Sequence, residues 1–152
     1  MPFRNPPAAD IAALLTSART IAVLGLSDNP ARPSCSVSLA MQRYGYRIIP
    51  VNPALKSWQG IPAIPDLSHL KTVLRTGDKV DIVNVFRQPQ HVDAIVDDCL
   101  ALGLPALWLQ LDVVNDAAAE RAVAGGMKVV MDRCIYVDRA ALGSSPPGSA
   151  IL

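Results

Sequence analysis

The 152-residue chain has no basic excess: fourteen Lys and Arg stand against thirteen Asp and Glu, a formal net charge of +1. A nucleic-acid surface built on a basic stripe is therefore not expected, though a few cations can still gather round one ligand. No run of eighteen apolar residues occurs, so no segment is expected to span a bilayer. The three cysteines, Cys35, Cys99 and Cys134, lie far apart with no C-x-x-C pair. A sparse, odd set of that kind points to free thiols in a reducing cytoplasm. The two histidines, His69 and His91, have no ligand neighbours at metal-site spacing, so no metal is expected. There is no internal repeat. The opening segment has a short apolar patch behind Asp10, which suits a secretory signal poorly and an amphipathic helix at about 9–18 better.

What is present is 51% hydrophobic and 18% charged residues, with thirteen Pro and nine Gly scattered along the chain. That is the composition of one ordinary folded domain, long enough to bury a core. The pattern alternates strand and helix. TIAVLGL (Thr20–Leu26) reads as a strand buried on both faces. SDNPARPS then turns, and Ser34 is placed to cap a helix through Tyr44 that stops at Gly45. YRIIPV (Tyr46–Val51) is a second strand, ended by Asn52-Pro53. Residues 54–66, held by Pro62, Pro65 and Gly60, read as a connection with at most an edge strand near Ala63 and Ile64. Asp66 or Ser68 starts a weak helix through Leu74.

VDIVNVF (Val80–Phe86) is a third strand. Gln88-Pro89 opens a helix over about His91–Leu102. PALWLQL (Pro105–Leu111) and KVVMD (Lys128–Asp132) are further strands, separated by an Ala-rich helix capped by Asn115 or Asp116. Strands joined by helices of this length pair in parallel through right-handed crossovers. The fold class is therefore α/β: a Rossmann-like, doubly wound, mainly parallel sheet of about five strands. One domain is expected over 1–138, with 139–152, rich in Ser, Pro and Gly, as a loose tail.

Ligands of such sheets bind at the carboxyl ends of the strands, where strand order reverses. The residues that follow the strands are Gly25, Ser27, Asn29, Arg32 and Ser34; Asn52, Pro53 and Lys56; Phe86, Arg87, Gln88 and Pro89; Gln110 and Asp112; and Asp132, Arg133 and Cys134. Glycine admits close backbone approach. A helix N-terminus attracts anions, and arginine grips phosphate through two N–H groups. Each piece has an ordinary use, Ser34 as a cap and Arg32 as a solvated loop charge. Their convergence points to a phosphate-bearing ligand. An NAD site requires G-x-G-x-x-G and an acidic residue after the second strand. The loop here, Gly25 to Pro30, has one glycine, and the second strand ends in Val51-Asn52-Pro53. No G-K-[ST] loop occurs.

The strings IAVLGLSDNPARPS, YRIIPVNP, VDIVNVFR, LWLQLDV and VVMDRC, in that order, resemble the small stand-alone coenzyme A-binding domain proteins. Those are similar to the CoA-binding domain of the succinyl-CoA synthetase α subunit. The resemblance runs from about Thr20 to Cys134. It implies that Gly25, Ser27, Arg32 and Ser34 hold the CoA phosphates. Asn52 and Pro53, with Lys56 nearby, line the adenosine side. Phe86 and Arg87 pass over the nucleotide or pyrophosphate. Trp108 and Gln110 form a W-x-Q element, and Cys134 closes a D-R-C element at the mouth. Relatives continue D-R-C-P where this chain has Ile135, so a different turn after Cys134 is expected.

The resemblance implies binding of coenzyme A or an acyl-CoA by a non-catalytic carrier, sensor or regulator. The alternative is a small acyl-CoA transferase or thioesterase using Cys134, which Arg133 would assist by favouring the thiolate. A weaker alternative is a binder of another nucleotide such as NAD. The synthetase's own chemistry needs a phosphorylated histidine on another domain and a second subunit, which this pattern does not include. His69 and His91 read as surface residues, and Cys99 as core. A cytoplasmic protein is expected, with no membrane or nucleic-acid partner and a homodimer as the plausible assembly.

Overall fold

The structure, a computed structural model, describes residues 2–143. Its elements in chain order are α1 (Ala8–Ser17), β1 (Thr20–Leu24), α2 (Pro33–Arg43), β2 (Arg47–Val51), β3 (Ser57–Trp58) and β4 (Ile61–Pro62). A 3-10 turn over Leu67–Thr72 leads to β5 (Ile82–Val85), and another over Pro89–His91 leads into α3 (Val92–Leu102). Then come β6 (Ala106–Leu109), α4 (Asp116–Ala124), β7 (Lys128–Val130) and α5 (Ile135–Ala140). β1, β2, β5, β6 and β7 form one parallel sheet in the order β2-β1-β5-β6-β7. The α/β Rossmann-like reading is therefore correct.

Strand alternation divides the core in two. Ala22, Leu24, Val83, Val85, Leu107 and Leu109 face α3 and α4, meeting Val92, Val96, Cys99 and the small side chains of Ala118, Ala119 and Ala122. Ile21, Val23, Ile82, Ala106 and Trp108 face the other way, onto Ile11, Leu14 and Leu15 of α1, Met41 of α2 and Ile135 of α5. Every residue of β1, β5 and β6 is buried, which is why those segments read as near-continuous apolar runs. The order reverses at β1: the chain leaves β1 for β2 on one side and returns to β5 on the other. The switch point lies between the ends of β1 and β5.

Three expectations are corrected. Ser34 does not cap α2; Arg32 is the cap residue and Pro33 the first helical one, because proline suits that position and draws the start two residues earlier. The connection after β2 holds a two-residue hairpin, with β3 paired antiparallel to β4. Gln59 at φ +52° and Gly60 at φ +74° make its turn, the geometry that matches strand twist. The expectation of at most an edge strand near Ala63 and Ile64 holds there, as a single parallel bridge from Ile64 to Val51. Finally, a boundary at 138 falls inside α5.

Residue 139 belongs to the domain. Arg139 is 1% exposed. Its Nε donates to the Tyr46 hydroxyl at 3.0 Å, and its guanidinium lies 4.4 Å from the Tyr44 ring centroid. The Tyr46 hydroxyl donates in turn to the Leu15 carbonyl. Burial raises the Tyr46 pKa above its ordinary value near 10, against the opposing pull of Arg139. The stability this residue contributes is thus complete below about pH 10 and is lost as pH rises through the folded-state value. Tyr46→Phe is expected to lower stability by about 1–3 kcal/mol at neutral pH and to remove this part of the alkaline limb. Denaturant melts from pH 7 to 11 check both; a variant as stable as the parent would contradict the assignment. The tail from 144 onward lies outside the described residues.

Candidate functional site

The segment leaving β1 is pre-folded by its own polar groups. Gly25 donates its N–H to Val51 at 3.0 Å and turns at φ +80°. The Ser27 hydroxyl accepts from the Asn29 N–H, the Asn29 carboxamide from the Ala31 N–H, and the Asn29 carbonyl from the Arg32 N–H, all at 3.0 Å. The Ser34 hydroxyl, buried in the first turn of α2, accepts from the Ser27 N–H at 3.0 Å. Ser34 thus fastens the loop to the helix, and its own O–H remains able to donate.

Asn52 ties the exits of β1 and β2 together. Its Nδ2 donates to the Leu26 carbonyl at 3.0 Å and its Oδ1 accepts from the Ala54 N–H at 2.9 Å. Both ends of that amide are committed. Beyond β5, the Phe86 N–H bonds the Leu24 carbonyl at 2.9 Å. Arg87 follows, half-buried, over Gly25. Beyond β6, Asp112 takes φ +67° and its N–H bonds the Asp132 carboxylate at 2.8 Å. The indole of Trp108 donates to the Arg133 carbonyl at 2.8 Å. The Cys134 loop is thereby pinned to β6. Trp108 itself is fully buried core, not a cleft residue.

These exits surround a cleft of about 920 Å³, within the usual size of small-molecule and cofactor sites. Of the candidate residues, Gly25, Ser27, Arg32, Ser34, Asn52, Phe86, Arg87, Gln110 and Cys134 line it. Pro53 lines a smaller adjoining hollow of about 170 Å³ that shares Arg87 with the main cleft. The Lys56 side chain is exposed and lines neither. Sequence reasoning missed Pro33, Val37, Leu111 and Val113 as lining residues; all are apolar and carried no chemical signal. It also missed Asn84, whose place inside an otherwise apolar strand was a signal.

The cleft has two unlike ends. Arg32 and Arg87 lie where β1 and β5 leave the sheet, beside the start of α2. Among the described residues, neither guanidinium has a hydrogen bond or ion pair. The other end, after β6 and β7, has Gln110, Leu111, Val113 and Cys134, with the Asp112 carboxylate. An anion is drawn to the first end and repelled by Asp112 at the second.

Cys134 is half-buried and caps α5. The Arg133 guanidinium expected beside it grips Asp138 through two bonds, at 2.7 and 2.6 Å. Ile135 is the first residue of α5, the one helical position where proline is well tolerated. Ile and Pro therefore suit the same backbone there, and the expected different turn is not required. Cys99 is core as expected, and burial pushes its thiol up to about 12 with Asp98 adding to the effect. Neither histidine lines the cleft: His91 borders the adjoining hollow, and His69 pairs with Asp66 at 3.0 Å on the surface. Among the described residues no three His, Cys, Asp or Glu are grouped to hold a metal, and no helix is long and apolar enough to cross a membrane.

Known proteins place this geometry. The chain is 39% identical over 138 residues to the uncharacterized protein YneT of Bacillus subtilis strain 168, covering 91% of this chain and 98% of that one. A solved Thermus thermophilus protein, cell-free ID.343, superimposes with a TM-score of 0.79 at 34% identity, over 90% of this chain and 99% of that one. A dinucleotide-forming acetyl-coenzyme A synthetase of Ca. Korarchaeum cryptofilum shares the fold, with a TM-score of 0.62 at 22% identity over 78% of this chain and 27% of its own. The sequence profile of the CoA binding domain matches residues 19–140, from the residue before β1 to the last of α5, and the chain belongs to that family.

Proposed function

We propose that the protein binds coenzyme A or an acyl-CoA in this cleft and releases it unchanged, as a carrier, sensor or regulator. The observation that carries the reading is the meeting of Arg32, Arg87 and the N-terminus of α2 at one end of the cleft, with both guanidiniums unengaged. CoA has a pyrophosphate and a 3′-phosphate at its nucleotide end and a neutral, amide-containing arm at the other. The helix N-terminus suits the pyrophosphate, the arginines suit phosphate oxygens, and the end past β6, apolar at Leu111 and Val113 and free of cations that would hold phosphate, suits the neutral arm. The adenosine then lies toward Asn52 and the hollow beside Pro53.

Binding without turnover is favoured by what surrounds Cys134. No imidazole lines the cleft to act as its base, and Arg133 is engaged by Asp138. NAD is disfavoured by Asn52, which is not a carboxylate and whose amide already holds Leu26 and Ala54.

Calorimetric titration of the reduced protein with CoA, dephospho-CoA and NAD tests the reading. Expected is saturable CoA binding of about micromolar affinity, near −8 kcal/mol, weaker for dephospho-CoA and weaker again for NAD. No CoA binding at tens of micromolar, or NAD binding more tightly, would overturn it. Cys134→Ala is expected to bind acetyl-CoA like the parent. Consumption of acetyl-CoA by the parent but not by this variant would replace the reading with the acyl-transfer one.

A further inference from the structure

Gln110 and Asn84 are a buried polar pair in an otherwise apolar setting. Gln110 follows β6 and is 4% exposed; Asn84 lies in β5 and is 1% exposed. Gln110 Nε2 donates to Asn84 Oδ1 at 3.1 Å. Buried primary amides are costly unless their donors and acceptors are used. Here one bond serves two amides, each able to make several. The backbone of Gln110 is already committed, its N–H to Val85 and its carbonyl to Val113. Its side-chain oxygen accepts no bond from any described residue. Gln110 lines the cleft, where β6 leaves the sheet.

An unused carbonyl on a buried side chain in a cleft wall is a receptor for an N–H. Its neighbours say what kind. Leu111 and Val113 are apolar, and the Asp112 carboxylate turns phosphate away from this end. A neutral chain bearing secondary amides satisfies all three conditions. We infer that the Gln110–Asn84 pair reads an amide of the ligand's arm and so sets which ligands are held beyond their nucleotide end; this rests on the CoA reading above. Asn84 acts as a positioning residue, holding the Gln110 amide in place. Turned over together, the two amides offer an N–H in place of the carbonyl, so the pair accepts either edge of a secondary amide. An arm held here ends on the side of the cleft that Cys134 lines.

The test compares CoA with adenosine 3′,5′-bisphosphate, which keeps the phosphates and lacks the arm. Gln110→Leu removes the receptor but strands Asn84, so the double variant Asn84→Leu/Gln110→Leu is measured beside it; replacing both partners of a buried pair is the change the fold tolerates better. Circular dichroism melts establish that the variants are folded. The expected result is a CoA affinity lowered about tenfold with adenosine 3′,5′-bisphosphate unchanged. A fall of equal size for both ligands, or for neither, overturns the inference. So does a parent protein that binds the bisphosphate as tightly as CoA, which would leave the nucleotide half of the reading standing. A parent that binds neither ligand removes the CoA reading itself.

Discussion

Gly25→Ala is expected to lower stability by on the order of 2–5 kcal/mol, the sum of left-handed backbone strain and overpacking, and to abolish CoA binding. Gly25 sits at φ +80°, where any Cβ is strained, and a Cβ built there meets the Phe86 carbonyl oxygen at 2.6 Å. Real Cβ atoms do not approach backbone oxygen so closely, so one of the two segments must move. Neither moves cheaply. The Gly25 N–H is bonded to Val51 and the Phe86 N–H to Leu24, at 3.0 and 2.9 Å. Those bonds extend the sheet past its last paired residues, at the switch point between β1 and β5. Displacing either loop also displaces Arg87, whose Cδ is 3.0 Å from the added atom.

The control is Gly60→Ala in the hairpin turn. Gly60 has a similar φ of +74° with nothing within 4 Å of a built Cβ. It shares the backbone strain without the collision, so about 1 kcal/mol is expected. Denaturant midpoints of the two variants separate strain from clash. Equal destabilisation would mean that the close approach of Gly25 to Phe86 has no energetic weight, and the site would have to be rebuilt from other contacts.

The parts of the fold legible in the sequence are those that burial writes into it. β1, β5 and β6 are covered on both faces, so their residues are β-branched or apolar, with Asn84 the exception. Their expected ends overshoot because apolar residues continue past the sheet: Leu26 and Phe86 leave the ladder yet still pack, Leu26 fully buried beside α2. The cleft was legible for the same topological reason, since any residue just beyond a parallel strand stands at its carboxyl end. The hairpin was not, because two-residue strands carry no periodicity and Gln59, in place of Asn or Asp, hides the turn. Arg139 was not legible either. An arginine near a Ser/Pro/Gly-rich tail reads as surface, and what buries it, Tyr44 and Tyr46, lies more than ninety residues earlier in the chain. Asn5 is similar: its carboxamide bonds both the N–H and the carbonyl of Met131, standing in for a neighbouring strand beside the sheet edge.

The double variant Arg32→Ala/Arg87→Ala is expected to weaken CoA binding by about 10²–10⁴-fold, from roughly 1.5–3 kcal/mol for each charge-assisted phosphate contact. Its stability is expected to stay close to that of the parent, because the two guanidiniums hold no hydrogen bond or ion pair within the described fold. Arg121 is the matched control. It pairs with Asp97 at 2.6 Å and Asp93 at 3.4 Å, away from the cleft, and Arg121→Ala is expected to leave binding unchanged. The single variants assign the phosphates. If Arg87 meets the 3′-phosphate, Arg87→Ala binds CoA and dephospho-CoA alike while Arg32→Ala keeps the preference, and the reverse pattern assigns it to Arg32. Affinity should also fall with added salt in the parent and fall less in the double variant, since fewer screened charges remain in contact. A double variant within threefold of the parent would mean that backbone N–H groups at α2 hold the phosphates unaided. The asymmetry that orients the ligand would then come from Asp112 repelling phosphate at the far end rather than from attraction at the near one.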